Sequence, residues 1–236
     1  MNSFTQALAE LSSAQKSRRG VSLYSRFVNR PAGRMLAAAA NTLRMTPNGV
    51  TAVSALVTGV GIAILVSGTP TPARAVTVTF LLMLGFALDS ADGQLARLTG
   101  RGSAAGEWAD HVVDSAKIVA IHAAVLVVAF RFLAVDPLWY LVPIGFQLVA
   151  IVTFVGGLLT ELLTRSARSE RPVDDKPSPI RSMVLLPADY GILAVSFVVL
   201  GWPDVFLVTY SLLFAANALI MLMLLVKWFR TLSSVR

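Results

Sequence analysis

The sequence predicts an all-α integral membrane protein of six transmembrane helices, preceded by an N-terminal cytoplasmic interfacial helix. Three observations predict it. Of the 236 residues 56% are hydrophobic and only 14% charged, at a mean hydropathy of +0.71, whereas about a quarter of a soluble domain is charged. Six apolar stretches each approach the roughly 20 residues that a bilayer crossing needs. The charge that remains, a net of +7, is segregated into alternate loops. Cysteine is absent, which excludes disulfides, thiolate metal sites and cysteine nucleophiles.

Taken in chain order, Met1–Gln15 is too polar for a secretory h-region, so no signal peptide is expected. Leu23–Leu43 mixes Leu23, Phe27, Val28, Met35 and Leu36 with arginines and is interrupted at Pro31, the pattern of an interfacial helix or two short ones. The six spans are expected at about Asn48–Ser67, Ala75–Leu95, Gly106–Phe130, Leu138–Leu159, Met183–Leu200 and Val205–Trp228. Their lengths and the lack of period-2 alternation favour helices over barrel strands. Ser166–Ser178 reads as a solvated loop. The expected divisions are a cytoplasmic segment over 1–47, a six-helix domain over 48–230 and a cytoplasmic tail over 231–236.

Orientation follows from the basic residues. The N-terminal segment, the second and fourth loops and the tail hold 17 lysines and arginines; the opposite side holds only Arg74 and Arg131. Basic loops stay in the cytoplasm, so both termini are expected there, in a multi-pass protein of the cell membrane. With the arginines accounted for by topology and no basic–aromatic constellation, a nucleic-acid partner is not expected.

Four acids do not fit this scheme. Asp89, Asp92, Asp110 and Asp114 crowd the cytoplasmic ends of the second and third spans, and charge inside a span is costly, roughly 2.5–3.5 kcal/mol for an aspartate at a helix centre. Asp89 and Asp92 are i, i+3, and Asp110 and Asp114 are i, i+4, so each pair shares a helix face. Gly100, Gly102 and Gly106 permit a tight reversal between them. Clustered carboxylates without cysteine suit a hard cation, Mg²⁺ or Mn²⁺. Arg97, about 12 Å along the helix from Asp89, can meet an anion at the membrane surface. Together these residues point to chemistry on a phosphate or pyrophosphate.

The run from Asp89-Ser-Ala-Asp92-Gly93 through Ala96-Arg97 to Gly106, Asp110 and Asp114 resembles the signature of the CDP-alcohol phosphotransferases, D-x2-D-G-x2-A-R-x8-G-x3-D-x3-D. All eight fixed positions are met. Thr46-Pro47-Asn48-Gly49-Val50-Thr51 resembles that family's lead-in. The resemblance implies transfer of a phospho-substituted group from a CDP-linked donor to a hydroxyl acceptor, one of the two being a lipid, with release of CMP in phospholipid biosynthesis. It further implies two metal ions held by Asp89, Asp92, Asp110 and Asp114, with Asp114 as general base. By the same likeness, Gly93, Arg97 and Ser103 contact the nucleotide and its phosphates, and Asn48, Gly49, Val50 and Thr51 close over it. The family commonly dimerises, so a homodimer is expected.

Which substrate carries the lipid is left with two readings. CDP-diacylglycerol as donor to a small alcohol or alcohol phosphate is favoured, on the length of the chain, and Lys117 is then the candidate cation for an acceptor phosphate; its alternative is an ion pair with the aspartates. Glu107 and His111, at i, i+4, resemble the choline/ethanolamine branch, in which such a pair activates a diacylglycerol hydroxyl. His122 is expected to be a satisfied packing residue, and Asp189 either lines the acceptor cavity or bonds a neighbouring helix. A cation- or proton-coupled transporter is the rival class, but transporters place such acids near the midplane at a repeat interface. Here they gather at one face.

Overall fold

The computed structural model describes residues 4–13, 22–168 and 179–234. Most of Ser166–Ser178, the end of the tail and part of Met1–Gln15 lie outside the described residues. Helices are the only regular elements among the described residues, and five of them are long and apolar enough to cross a membrane. They are α3 (Pro47–Val66), α4 (Pro72–Thr99), α5 (Ala104–Phe132), α6 (Leu141–Arg168, entered through a 3₁₀ turn at Pro137–Tyr140) and α9 (Pro203–Ser233). Before them come α1 (Phe4–Ser13) and α2 (Arg30–Thr42); between α6 and α9 lie the short α7 (Pro179–Val184) and α8 (Tyr190–Ser196).

Local chemistry sets these boundaries. Thr46 and Thr71 cap α3 and α4, accepting from the Gly49 and Arg74 amides at 3.1 and 3.3 Å, and a proline follows each cap. There the proline's missing N–H costs nothing. Ser103 caps α5 through the Gly106 amide at 3.1 Å. Helix α4 stops at Gly100, whose φ of +64° is the left-handed geometry that glycine adopts without penalty. Pro31, expected to interrupt the N-terminal helix, instead falls in the first turn of α2, which a π turn at Ser25–Asn29 leads into.

The fifth expected span differs most from expectation. Met183–Leu200 is not one continuous helix: α7, a 3₁₀ turn at Leu186–Ala188, α8 and a second 3₁₀ turn at Phe197–Gly201 follow one another. Pro187 and Asp189 cause the break. Asp189 restarts the chain as the N-cap of α8, accepting from the Gly191 amide at 2.8 Å. Its other oxygen accepts from the Ser22 hydroxyl and from the Ser25 hydroxyl (2.5 Å) and amide (3.2 Å). Tyr24 lies directly against Gly191, where no side chain fits; burial, with the charge of Asp189 beside it, raises its hydroxyl above the usual pKa. The segment ahead of α2 is thus pinned to the break.

Helix α3 bridges the two helices that carry the aspartates. It packs against both α4 and α5, whereas the backbones of α4 and α5 barely approach one another. Gly85 and Gly106 let α3 come close: a Cβ on the first would collide with Thr58, and one on the second would lie 2.9 Å from Asn48 Oδ1. Gly106 therefore serves close approach rather than the reversal itself. The larger core, around Leu82, Ile121, Phe197, Phe206 and Tyr210, fills the end of the bundle remote from the α4–α5 turn. At the other end Ala7 and Leu11 of α1, Ala37 and Ala38 of α2, and Ala91 and Leu95 of α4 form a second cluster. It steadies the helix that carries two of the four aspartates.

Candidate active site

The four aspartates converge in the gap between α4 and α5, and α3 supplies the floor. Asp92, 5% exposed, is fixed by Thr51, whose hydroxyl donates to Oδ2 at 2.6 Å, and by the Gly93 amide, which donates to Oδ1 at 2.5 Å. Asp89 pairs with Lys117, which also reaches Asp114 Oδ1 at 3.3 Å and Ser54 Oγ at 3.0 Å. The Ser54 hydroxyl in turn donates a hydrogen bond to the Gly85 carbonyl at 2.8 Å. One ammonium thus stands between two carboxylates and ties α3, α4 and α5 together. The ion pair expected as the alternative for Lys117 is present.

Asp110, His111 and Asp114 each offer a ligand atom within 4.8 Å of the others, a group that could hold a metal ion. Two carboxylates and an imidazole suit a divalent cation, and the ammonium between Asp89 and Asp114 marks a second place where these oxygens accept positive charge. The residues therefore fit the implied ions. His111 enters this set, which the sequence reading confined to the aspartates.

Two cavities adjoin the cluster. A polar cleft of about 510 Å³ opens beside Asp92 and Asp110, between the start of α3, the α4–α5 turn and the far end of α6. Asn48, Thr51, Gly93, Arg97 and Ser103, the residues given to the nucleotide by the family resemblance, line it, and so do Glu107 and His111. Gly49 and Val50 do not: the Gly49 amide is used in the cap and Val50 is 1% exposed in the second core cluster. Arg101, Glu161 and Arg165 line it unforeseen; the arginines had been assigned to topology alone. Arg165 donates to Glu107 Oε1 at 2.5 Å, while His111 Nδ1 is buried with no hydrogen-bond partner. The Glu107–His111 couple is therefore not formed through that nitrogen.

The second cavity, about 260 Å³, lies on the other side, bounded by Asp89, Asp114 and Lys117 and then by mostly apolar walls. Asp189 lines it and also bonds the segment ahead of α2. His122 is a packing residue as expected: its Nδ1 lies 2.6 Å from the Tyr210 hydroxyl.

An acid-lined gap with an arginine-bearing cleft on one side and an apolar chamber on the other suits group transfer at a diphosphate. The model of the CDP-alcohol phosphatidyltransferase family matches residues 44–229. The chain belongs to that family. Comparison with curated proteins gives no match. The CDP-alcohol phosphatidyltransferases transfer substituted phosphate groups, so this membrane protein is a transferase of phospholipid synthesis. Within that match lie all four aspartates and both cavities.

Proposed function

We propose that the protein transfers a phosphatidyl group from CDP-diacylglycerol to the hydroxyl of a small alcohol or alcohol phosphate, releasing CMP. The observation behind this reading is that two cavities of unlike size and chemistry adjoin one set of carboxylates. The larger, with Arg97 and Arg101 on its wall, suits a nucleotide diphosphate. The chamber of about 260 Å³ falls below the roughly 300–1,000 Å³ that drug-sized ligands fill. It therefore suits a small acceptor, and the lipid belongs to the donor. The opposite assignment, diacylglycerol in the chamber, needs more room, and Glu107 is engaged with Arg165 instead of His111 Nδ1.

In this mechanism Arg97 and Arg101 hold the donor phosphates, with Asn48 and Ser103 at the nucleotide. Asp110, His111 and Asp114 would hold a divalent ion, with Asp89 and Asp92 completing the carboxylate set for a second. Mg²⁺ or Mn²⁺ bound there supplies charge neutralisation of the diphosphate and of the leaving CMP. Asp114 borders the acceptor chamber, whereas Asp92, Asp110 and His111 border the cleft. Asp114 is thus the base: as the acceptor oxygen bonds to the β-phosphorus and the bond to the CMP oxygen breaks, the hydroxyl proton passes to its carboxylate.

The same reading gives six crossings with a cytoplasmic site. Tyr190 meets the Phe86 ring with centroids 5.0 Å apart, and Gly201 abuts Pro72. The α8 segment therefore runs antiparallel along about 21 Å of α4, and α9 returns from Pro203. Exposed Phe27, Met35 and Leu43 support an interfacial role for the segment around α2.

The test is CMP release from purified protein with Mg²⁺ or Mn²⁺. CDP-diacylglycerol with small alcohols and alcohol phosphates is expected to yield CMP; CDP-choline or CDP-ethanolamine with diacylglycerol is not. The reverse preference would exchange the lipid assignment.

A further inference from the structure

The chamber beside Asp114 carries hydrogen-bonding groups of two kinds, committed and free. Asn217 donates through Nδ2 to the Pro187 and Leu213 carbonyls at 2.9 and 2.8 Å. Thr153 donates to the Val149 carbonyl at 2.8 Å, and His122 Nδ1 pairs with Tyr210. Lys117 is held by Asp89, Asp114 and Ser54. The Thr58 and Tyr190 hydroxyls remain: both oxygens are buried, both residues line the chamber, and neither oxygen has a partner. Buried hydroxyls left unbonded are costly, and a native structure that retains them invites a ligand that completes them.

From these groups, and resting on the assignment of the chamber to the acceptor, we propose that Thr58 and Tyr190 recognise the acceptor, and that this acceptor is an uncharged alcohol. Hydroxyl groups both donate and accept, so an alcohol can satisfy Thr58 and Tyr190 together. An anionic acceptor finds few partners. With Asp89 and Asp114 given to the divalent ions, the wall sets a single cation, Lys117, against the remaining carboxylate, Asp189. A phosphate needs several N–H donors or cations, and those of Asn217 are spent. Phe86, Ile118, Phe146 and Phe154 offer apolar walls to a carbon skeleton.

The fold explains how the two residues come to line one space. Thr58 lies one turn beyond Ser54 on α3, and Gly85 leaves the room that its oxygen occupies. Tyr190 is the first residue of α8, next to the cap at Asp189 and against Phe86. The break in the fifth span therefore presents an acceptor-binding residue at the depth of Asp114. Three helices, α3, α5 and α8, would then hold one small molecule.

Matched pairs of acceptors, glycerol with glycerol 3-phosphate and inositol with inositol 1-phosphate, test this with purified protein, CDP-diacylglycerol and Mg²⁺ or Mn²⁺. CMP release is expected to favour the uncharged member at least about tenfold. Tyr190→Phe and Thr58→Val, which keep the shape and remove the hydroxyl, are each expected to raise the acceptor KM about tenfold and leave the donor KM unchanged. Preference for the phosphorylated member would overturn the proposal, as would variants that leave the acceptor KM unaltered. If CDP-diacylglycerol yields no CMP with any acceptor, the donor assignment has failed, and thermal stabilisation of the same protein by each alcohol gives the answer on the acceptor. Stabilisation by the uncharged alcohols that Tyr190→Phe abolishes supports recognition by Tyr190. Stabilisation by the phosphates, or none by either member, overturns it.

Discussion

Asp114→Asn is expected to lower turnover by at least about 10³-fold while leaving a folded protein that can be extracted from the membrane. Proton transfer by a positioned group contributes typically 10²–10⁴-fold, and the same substitution weakens a ligand of the Asp110–His111–Asp114 group. The amide keeps the size of the carboxylate, and its oxygen can still accept from Lys117, now 3.3 Å from Asp114 Oδ1. Structure is thus largely preserved and the basic site removed. The readout is CMP formed in a single turnover, with a thermal melt in detergent as the control for folding. Near wild-type turnover would remove Asp114 as the base and return the role to His111, the alternative visible in the sequence.

Lys117→Met should have the largest effect on stability, and one that depends on metal. The Lys117 side chain is 10% exposed, and its ammonium faces Asp89 and Asp114, whose side chains are 17% and 26% exposed. Removing one partner of a buried ion pair costs about 3–5 kcal/mol, and the partial exposure here places the effect at the lower end. For a chain of this size that is a fall in Tm of roughly 6–12 °C. The fall is expected in EDTA, where the carboxylates repel one another unopposed, and to be largely reversed by millimolar Mg²⁺ or Mn²⁺. An equal Tm for variant and wild type in EDTA would mean that the ammonium does not hold these carboxylates together.

The long helices were legible because membrane crossing leaves little freedom: each needs about 20 apolar residues, and Gly100 and Gly102 marked the reversal after α4. The aspartates were legible because charge in an apolar chain is expensive, so four of them within 26 positions stood out. What escaped depends on tertiary contacts. Asp189 was visible as a polar residue in an apolar run, but Ser22 and Ser25, more than 160 positions away, are what make it a joint. Thr58 and Tyr190 gave no signal, because a threonine and a tyrosine in a span are ordinary until their hydroxyls prove unbonded beside a cavity. Arg165 escaped for a different reason: it reads as part of a basic loop that topology already explains, and only the fold brings it back to Glu107 at the cleft. Val50 failed in the opposite sense, since the motif that carries it has a face turned to the core.

The most direct test of the proposed transfer follows the lipid itself. Purified protein in lipid nanodiscs is supplied with CDP-diacylglycerol labelled in its acyl chains, Mg²⁺ or Mn²⁺, and an alcohol acceptor. Label is expected in a new phospholipid containing that alcohol, with one CMP released per labelled product and neither formed by Asp114→Asn. Label that stays in CDP-diacylglycerol while CDP-choline or CDP-ethanolamine converts diacylglycerol to phospholipid would contradict it.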